Sequence, residues 1–144
     1  MPDWVSAGVS EYSKRLPHKF QLSFIDIAPQ KRHKPGDVAK LIEVEGQQIL
    51  AKVNPQHTLI ALDLTGKILS TQQLKEIVLD KYNHSENIDF VIGGADGLSH
   101  QCLAKAHLVW SMSNLTFPHP VVRVILAEQI YRTWSMIENH PYHR

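Results

Sequence analysis

Residues 90–99 read FVIGGADGLS. The apolar run 90–92 stops on Gly93 and Gly94, and Gly97 follows the acid Asp96. A short buried strand, a glycine turn and a helix opening at Ser99 make the repeating unit of an α/β protein. Glycines spaced this way also let a backbone come close to something. GGADG is not a Walker motif, because no Lys-Ser/Thr pair follows, and it is not G-x-G-x-x-G. Two readings stay open: a tight strand-to-helix turn, or a backbone surface laid against a flat or bulky ligand.

Working outward, residues 57–64 (HTLIALDL) predict a buried strand that ends at Asp63, with Thr65 and Gly66 turning the chain. Residues 71–82 predict a helix with Leu74, Ile77 and Val78 facing in. After the glycine run come a short helix over 99–106, a strand in HLVWSMS (107–113) and a loop in NLTFPHP (114–120). A last helix starts at Pro120, a good first-turn residue, and runs to about Glu138. Toward the N-terminus, Trp4, Val5, Val9, Tyr12 and Leu16 mark a helix over 2–16 that Pro17 stops. FQLSFIDIA (20–28) alternates Phe20, Leu22 and Phe24 and predicts a strand. Asp37 is placed to cap a helix reaching Val53.

Strands and helices therefore alternate, which predicts an α/β fold with a mostly parallel sheet flanked by helices, in one domain over 1–144. In open sheets of this kind ligands gather beyond the carboxyl ends of the strands. Three such ends stand out: Leu62 with Asp63, Gly93 with Gly94, and residues 111–117.

Composition narrows the class. The chain has 144 residues, 43% hydrophobic and 20% charged, which is globular rather than disordered. No apolar run is long enough to span a bilayer and no signal-peptide pattern opens the chain. One cysteine, Cys102, has no partner for a disulfide and no obvious histidine beside it, so it reads as an inert thiol in a reducing, cytoplasmic setting. Fifteen Lys and Arg against fourteen acids exclude recognition of nucleic acid by bulk charge. Lys31, Arg32, His33 and Lys34 form a local basic patch, either a solvated loop or a phosphate contact.

The last helix is apolar nearly all round: Val121, Val122, Val124, Ile125, Leu126, Ala127, Ile130, Tyr131 and Trp134. Such a helix must be buried on several sides, so part of it is expected to pack on a second copy in a homodimer. Glu128 and Arg132 fit the i, i+4 pairing rule on it, Arg123 is expected to be paired structurally, and His119 is placed to cap it. The end, NHPYHR (139–144), sets His140, Tyr142, His143 and Arg144 together. His-x-x-His spacing hints at zinc, but no cysteine or carboxylate cluster completes a site, so no metal is expected. A donor-rich tail suits an anionic or polar substrate instead.

IGGADGLS (92–99), SNLTFPHPVVRVILAEQIYRTWS (113–135) and NHPYHR (139–144), in this order and at these separations, resemble one family. It is the ribosomal RNA large-subunit methyltransferase H family, SPOUT-class bacterial enzymes that methylate a pseudouridine of large-subunit ribosomal RNA. The resemblance covers essentially the whole chain and is most specific over 116–134. It implies an α/β fold with its C-terminal part threaded into a trefoil knot, an exception to ordinary chain topology. It also implies a homodimer with the last helices at its interface. S-adenosylmethionine would lie bent in the knot, held by Leu62, by Gly93 and Gly94, and by Met112, Ser113, Asn114, Leu115, Thr116 and Phe117. Ala95-Asp96 stands where the family more often has Pro-Glu, which shortens the acid. Relatives begin with one more short apolar strand before the segment matching MPDWV. The N-terminal strand of the sheet is thus expected to be missing here, or Met1 corresponds to an internal methionine.

On this resemblance the reaction is methyl transfer to N3 of a pseudouridine, on the assembled ribosome because no separate RNA-binding domain is visible. The tail would carry the chemistry, with Tyr142, His143 and Arg144 interchangeable among three roles: stacking on the base, accepting the N3 proton, and holding a phosphate or carbonyl oxygen. Two alternatives remain: a methyltransferase of the same class acting on transfer RNA, and a catalytically silent RNA-binding or assembly dimer.

Overall fold

The computed structural model describes residues 1–28 and 37–144, and the basic patch Lys31, Arg32, His33 and Lys34 lies outside the described residues. Its elements in order are α1 (Asp3–Ser13), α2 (Val38–Lys52), β1 (Thr58–Ile68), α3 (Thr71–Asn83), β2 (Ile88–Ile92), α4 (His100–Lys105), β3 (Leu108–Ser111) and α5 (His119–Ile137). The chain divides into two compact units. No helix among the described residues is long and apolar enough to cross a membrane.

One unit comprises Ile27–Ile68 and Ser85–Thr116. It holds a three-stranded, all-parallel sheet in the order β2-β1-β3. Leu59, Ile60, Ala61 and Leu62 are buried in succession, as a central parallel strand requires. Leu59, Ala61 and Val91 form the core, with Ile49, Leu50, Val53, Leu98, Leu103 and Ala106 packed against it. The N-terminal edge of the sheet is tied by side chains. The His107 backbone N–H donates to the Leu59 carbonyl at 2.8 Å, and its Nδ1 accepts the Leu59 N–H at 2.9 Å. Asp89 accepts the Asn54 N–H at 3.0 Å and lies 3.1 Å from His57 Nδ1. α4 is capped by the Ser99 hydroxyl, which accepts the Cys102 N–H. Cys102 is a free, fully buried thiol 3.5 Å from the Gly46 carbonyl, in keeping with an inert role.

β1 departs from expectation in one respect. It does not end at Asp63 but continues to Ile68, and residues 63–66 bulge within it. Leu62 and Lys67 both stand opposite Trp110 on β3. The Asp63 carboxylate accepts the Thr65 N–H at 3.1 Å and holds the bulge. Gly66 lets the strands close again, because a β-carbon there would sit 2.5 Å from the Val109 carbonyl carbon and oxygen.

The other unit comprises Met1–Asp26, Leu69–His84 and Phe117–Arg144. α5 packs against α1 and α3. Val5, Val9 and Ala127 form its core, joined by Tyr12, Leu22, Phe24 and Val124. α3 begins with a full capping box between Ser70 and Gln73, and buries Leu74 and Val78. The strand expected over 20–28 is absent. A 3-10 turn at His18–Phe20 leads into extended chain with no ladder partner among the described residues. Its alternation has another cause: Leu22 and Phe24 turn toward the α1–α5 core while Gln21 and Ser23 face out. One-sided burial of an extended segment gives the same period as a half-buried strand.

None of the 19 residues of α5 is exposed. Its charges are paired as the sequence suggests, Arg123 with Asp26 and Arg132 with Glu128 at 3.0 Å. His119 does not cap the helix. Pro118 holds the cap position and makes no side-chain capping bond. Burial, then the charge of Arg123, pushes the His119 imidazole below its usual pKa.

Candidate active site

Because the strands are parallel and in register, Leu62 stands beside both Ile92 and Trp110. The bulge that opens at Asp63, the turn at Gly93 and the chain after β3 therefore lie along one edge of the sheet. At Gly93 a β-carbon would lie 2.6 Å from the Gly97 carbonyl carbon and 2.9 Å from the Leu98 nitrogen. Gly94 and Gly97 bridge each other, the Gly97 N–H donating to the Gly94 carbonyl at 3.1 Å. Gly97 has φ +87° and open space where a side chain would go. The glycine run is thus a tight turn whose backbone packs on itself at Gly93 and is open at Gly97.

The segment after β3 is shaped by serines. The buried Ser111 hydroxyl donates to the Ser113 carbonyl at 2.9 Å, and the Ser113 hydroxyl accepts the Leu115 N–H at 3.0 Å. Met112 and Ser113 are half-buried, while Asn114, Leu115 and Thr116 are exposed. Leu64 and Leu115 are 56% and 68% exposed, unusual for leucine. Trp110 carries a buried indole N–H with no acceptor among the described residues. Exposed leucines, an open glycine turn and a serine-braced loop suit a ligand with a flat apolar part and polar edges. Leu62, Gly93, Gly94 and 112–116 belong to this unit; Phe117, the last residue of the expected set, belongs to the other.

The tail is ordered by α5. Asn139 takes a left-handed conformation, φ +55°, and turns the chain back, and the His140 N–H donates to the Ser135 carbonyl at 2.8 Å. Pro141–His143 form a 3-10 turn. The Tyr142 ring meets Tyr131 edge-on at 4.6 Å between centroids, with the Arg132 guanidinium 5.1 Å from its centre. Its hydroxyl donates to Glu128 at 3.4 Å. Burial and the nearby Glu128 charge push that phenol above its usual pKa. His143 Nδ1 lies 2.9 Å from the Ser135 hydroxyl. Arg144 is exposed, and its backbone N–H donates to the Pro141 carbonyl at 3.3 Å.

The structure thus gathers Tyr142 and His143 onto the last turns of α5, with Glu128, Arg132 and Ser135. Ser135 was missed by sequence reasoning. It shares α5 with Arg123, Glu128, Gln129, Arg132 and Thr133, so a further polar residue there carried no signal, although the position proves fully buried. No group of three His, Cys, Asp or Glu side chains among the described residues is arranged to hold a metal ion.

The family model described as "Predicted SPOUT methyltransferase" matches residues 1–143. Three curated relatives bear the name "Ribosomal RNA large subunit methyltransferase H". The protein of Methylococcus capsulatus is 44% identical over 144 residues, that of Chromohalobacter salexigens 45% over 144, and that of Pseudomonas putida 43% over 145. Each match takes in all of this chain and 93% of the relative. The chain belongs to the SPOUT methyltransferase family, and within it groups with these large-subunit enzymes.

Proposed function

We propose that this SPOUT methyltransferase methylates N3 of a pseudouridine in large-subunit ribosomal RNA, on the assembled ribosome in the cytoplasm, as a homodimer with a C-terminal trefoil knot. The observation that carries the reading is the match, along the entire chain, to relatives named for methylation of large-subunit ribosomal RNA. S-adenosylmethionine, when bound, supplies a methyl group on a positive sulfonium. The residues that would hold it are Leu62, Gly93, Gly94, Met112, Ser113, Asn114, Leu115, Thr116 and Phe117. The exposed Leu64 and Leu115 and the open face of Gly97 fit its flat base and polar edges.

The tail serves the RNA. His143 accepts the N3 proton, which leaves an electron pair on N3 and negative charge over the flanking carbonyl oxygens. Arg144, which is exposed, neutralises that charge or binds a neighbouring phosphate. Tyr142 offers an aromatic edge for the base. The half-buried Val121, Val122 and Ile125 on α5 leave apolar surface for a second copy. Mass spectrometry of ribosomal RNA from cells with and without the protein tests the reading: a methylated pseudouridine that disappears with the gene supports it, and an unchanged RNA rejects it.

A further inference from the structure

Ser135 is fully buried on α5, and its hydroxyl oxygen has two neighbours: the His140 carbonyl oxygen at 3.0 Å and His143 Nδ1 at 2.9 Å. A hydroxyl carries one proton. The carbonyl is only an acceptor, so the Ser135 proton goes there; Nδ1 must then be protonated and donate to the serine oxygen. The reverse arrangement, with Ser135 donating to a bare Nδ1, would leave two oxygens facing each other at 3.0 Å without a proton between them.

We infer that Ser135 is a positioning residue that fixes His143 as the Nδ1–H tautomer, so that Nε2 is the nitrogen that takes up a proton. This rests on the reading of His143 as the proton acceptor. The bond of Nδ1–H to Ser135 is compatible with both the neutral ring and the imidazolium, so proton uptake leaves the serine contact intact and takes place wholly at Nε2. In the proposed reaction the N3–H bond of the pseudouridine breaks and an Nε2–H bond forms; the electron pair stays on N3, and the charge of the pair of groups is unchanged. The backbone clamp reinforces the arrangement. The Ser135 carbonyl holds the His140 N–H at 2.8 Å, and His140 Nδ1 accepts the Tyr142 N–H at 3.2 Å, so the turn that carries His143 is tied at both ends.

The test is nitrogen-15 spectroscopy of the imidazoles in the intact protein at alkaline pH, with the His143 signals identified by their loss in His143→Gln. Histidine free in water favours the opposite tautomer, with the proton on Nε2. The expected result is a protonated Nδ1 and a bare Nε2 for His143, reverting toward the free pattern in Ser135→Ala. A wild-type spectrum with the proton on Nε2 overturns the inference, whether or not the variant folds. In turnover assays Ser135→Ala is expected to lose about tenfold in kcat as the competent tautomer becomes a minority, with donor affinity unchanged. If His143→Gln keeps full turnover while the tautomer is as stated, the catalytic reading of His143 falls and the tautomer assignment stands.

Discussion

Gly46 of α2 and Ser99, the cap of α4, meet so closely that a β-carbon on Gly46 would lie 2.2 Å from the Ser99 hydroxyl oxygen and 2.8 Å from its β-carbon. Ser99 cannot yield without giving up the Cys102 N–H. Gly46→Ala is expected to lower stability by about 1–3 kcal/mol, although alanine is the better helix former. Adding Ser99→Gly should restore part of the loss, since glycine is a tolerable cap. Urea midpoints at constant slope check this; a midpoint for Gly46→Ala equal to wild type would show that the two helices part without cost.

Gly66 in the β1 bulge and Gly97 and Gly94 after β2 are expected to behave in three different ways. Gly66→Ala meets backbone of β3 at 2.5 Å and should be the most damaging, with a loss of about 3 kcal/mol or more. Gly97→Ala meets nothing but has a left-handed φ, and should cost about 1–2 kcal/mol. Gly94→Ala comes no closer than 3.3 Å to the tip of Glu45 and should be nearly neutral for stability. Its effect should appear in calorimetry with S-adenosylmethionine as weakened binding. Undiminished affinity in a folded Gly94→Ala protein would remove Gly94 from the donor site.

Asp26 gives a pH signature. Its hydrogen bond to the Arg123 guanidinium holds the carboxyl below its usual pKa, against a smaller opposing effect of burial. A carboxylate lowered in the folded state stabilises above the unfolded pKa, about 3.9, and loses that contribution as pH falls through the lower folded value. The pair is largely exposed on the aspartate side, so the effect should be a fraction of a kcal/mol and shrink with salt. Asp26→Asn should lose that fraction of a kcal/mol at neutral pH and converge with the wild type in acid, so that its stability falls less steeply below about pH 4. A steeper acid limb in the variant would contradict the pairing.

For the tail, His143→Gln should lower turnover by about a hundredfold, and Arg144→Ala by about tenfold or more, with S-adenosylmethionine affinity retained in both. Tyr142→Phe should be milder than Tyr142→Ala, because the ring contacts with Tyr131 and Arg132 survive the loss of the hydroxyl. Binding and single-turnover measurements made separately on each variant check this. Full turnover in both the His143 and Arg144 variants would leave the tail without a chemical role.

What the sequence revealed depended on how local the cause was. Strands β1, β2 and β3 and helices α2, α3 and α5 were legible from their hydrophobic period, because each buries one face or is buried outright; the caps were not, since Asp37 stands at the cap of α2 without making a side-chain bond there and His119 lies inside α5. The same rule misled over 20–28, where Leu22 and Phe24 alternate toward helices and not within a ladder. Gly66 looked like a turn glycine; its reason, the nearby backbone of Val109, lies 43 residues away and has no local mark. In the tail, His143 stood out by its chemistry and Ser135 did not, because a serine's meaning there comes from the two atoms its hydroxyl meets.

The bulge in β1 has an evolutionary corollary. Leu62 and Lys67 share one opposite residue, and Ile68 pairs with Ser111, the neighbour of Trp110. Excising residues 63–67 would therefore join Leu62 to Ile68 with their partners still consecutive. The loop's size is decoupled from strand alignment. Descendants of this chain are expected to gain or shed residues here while the remaining architecture stays put, so lineages can remodel one rim of the sheet without renegotiating the rest.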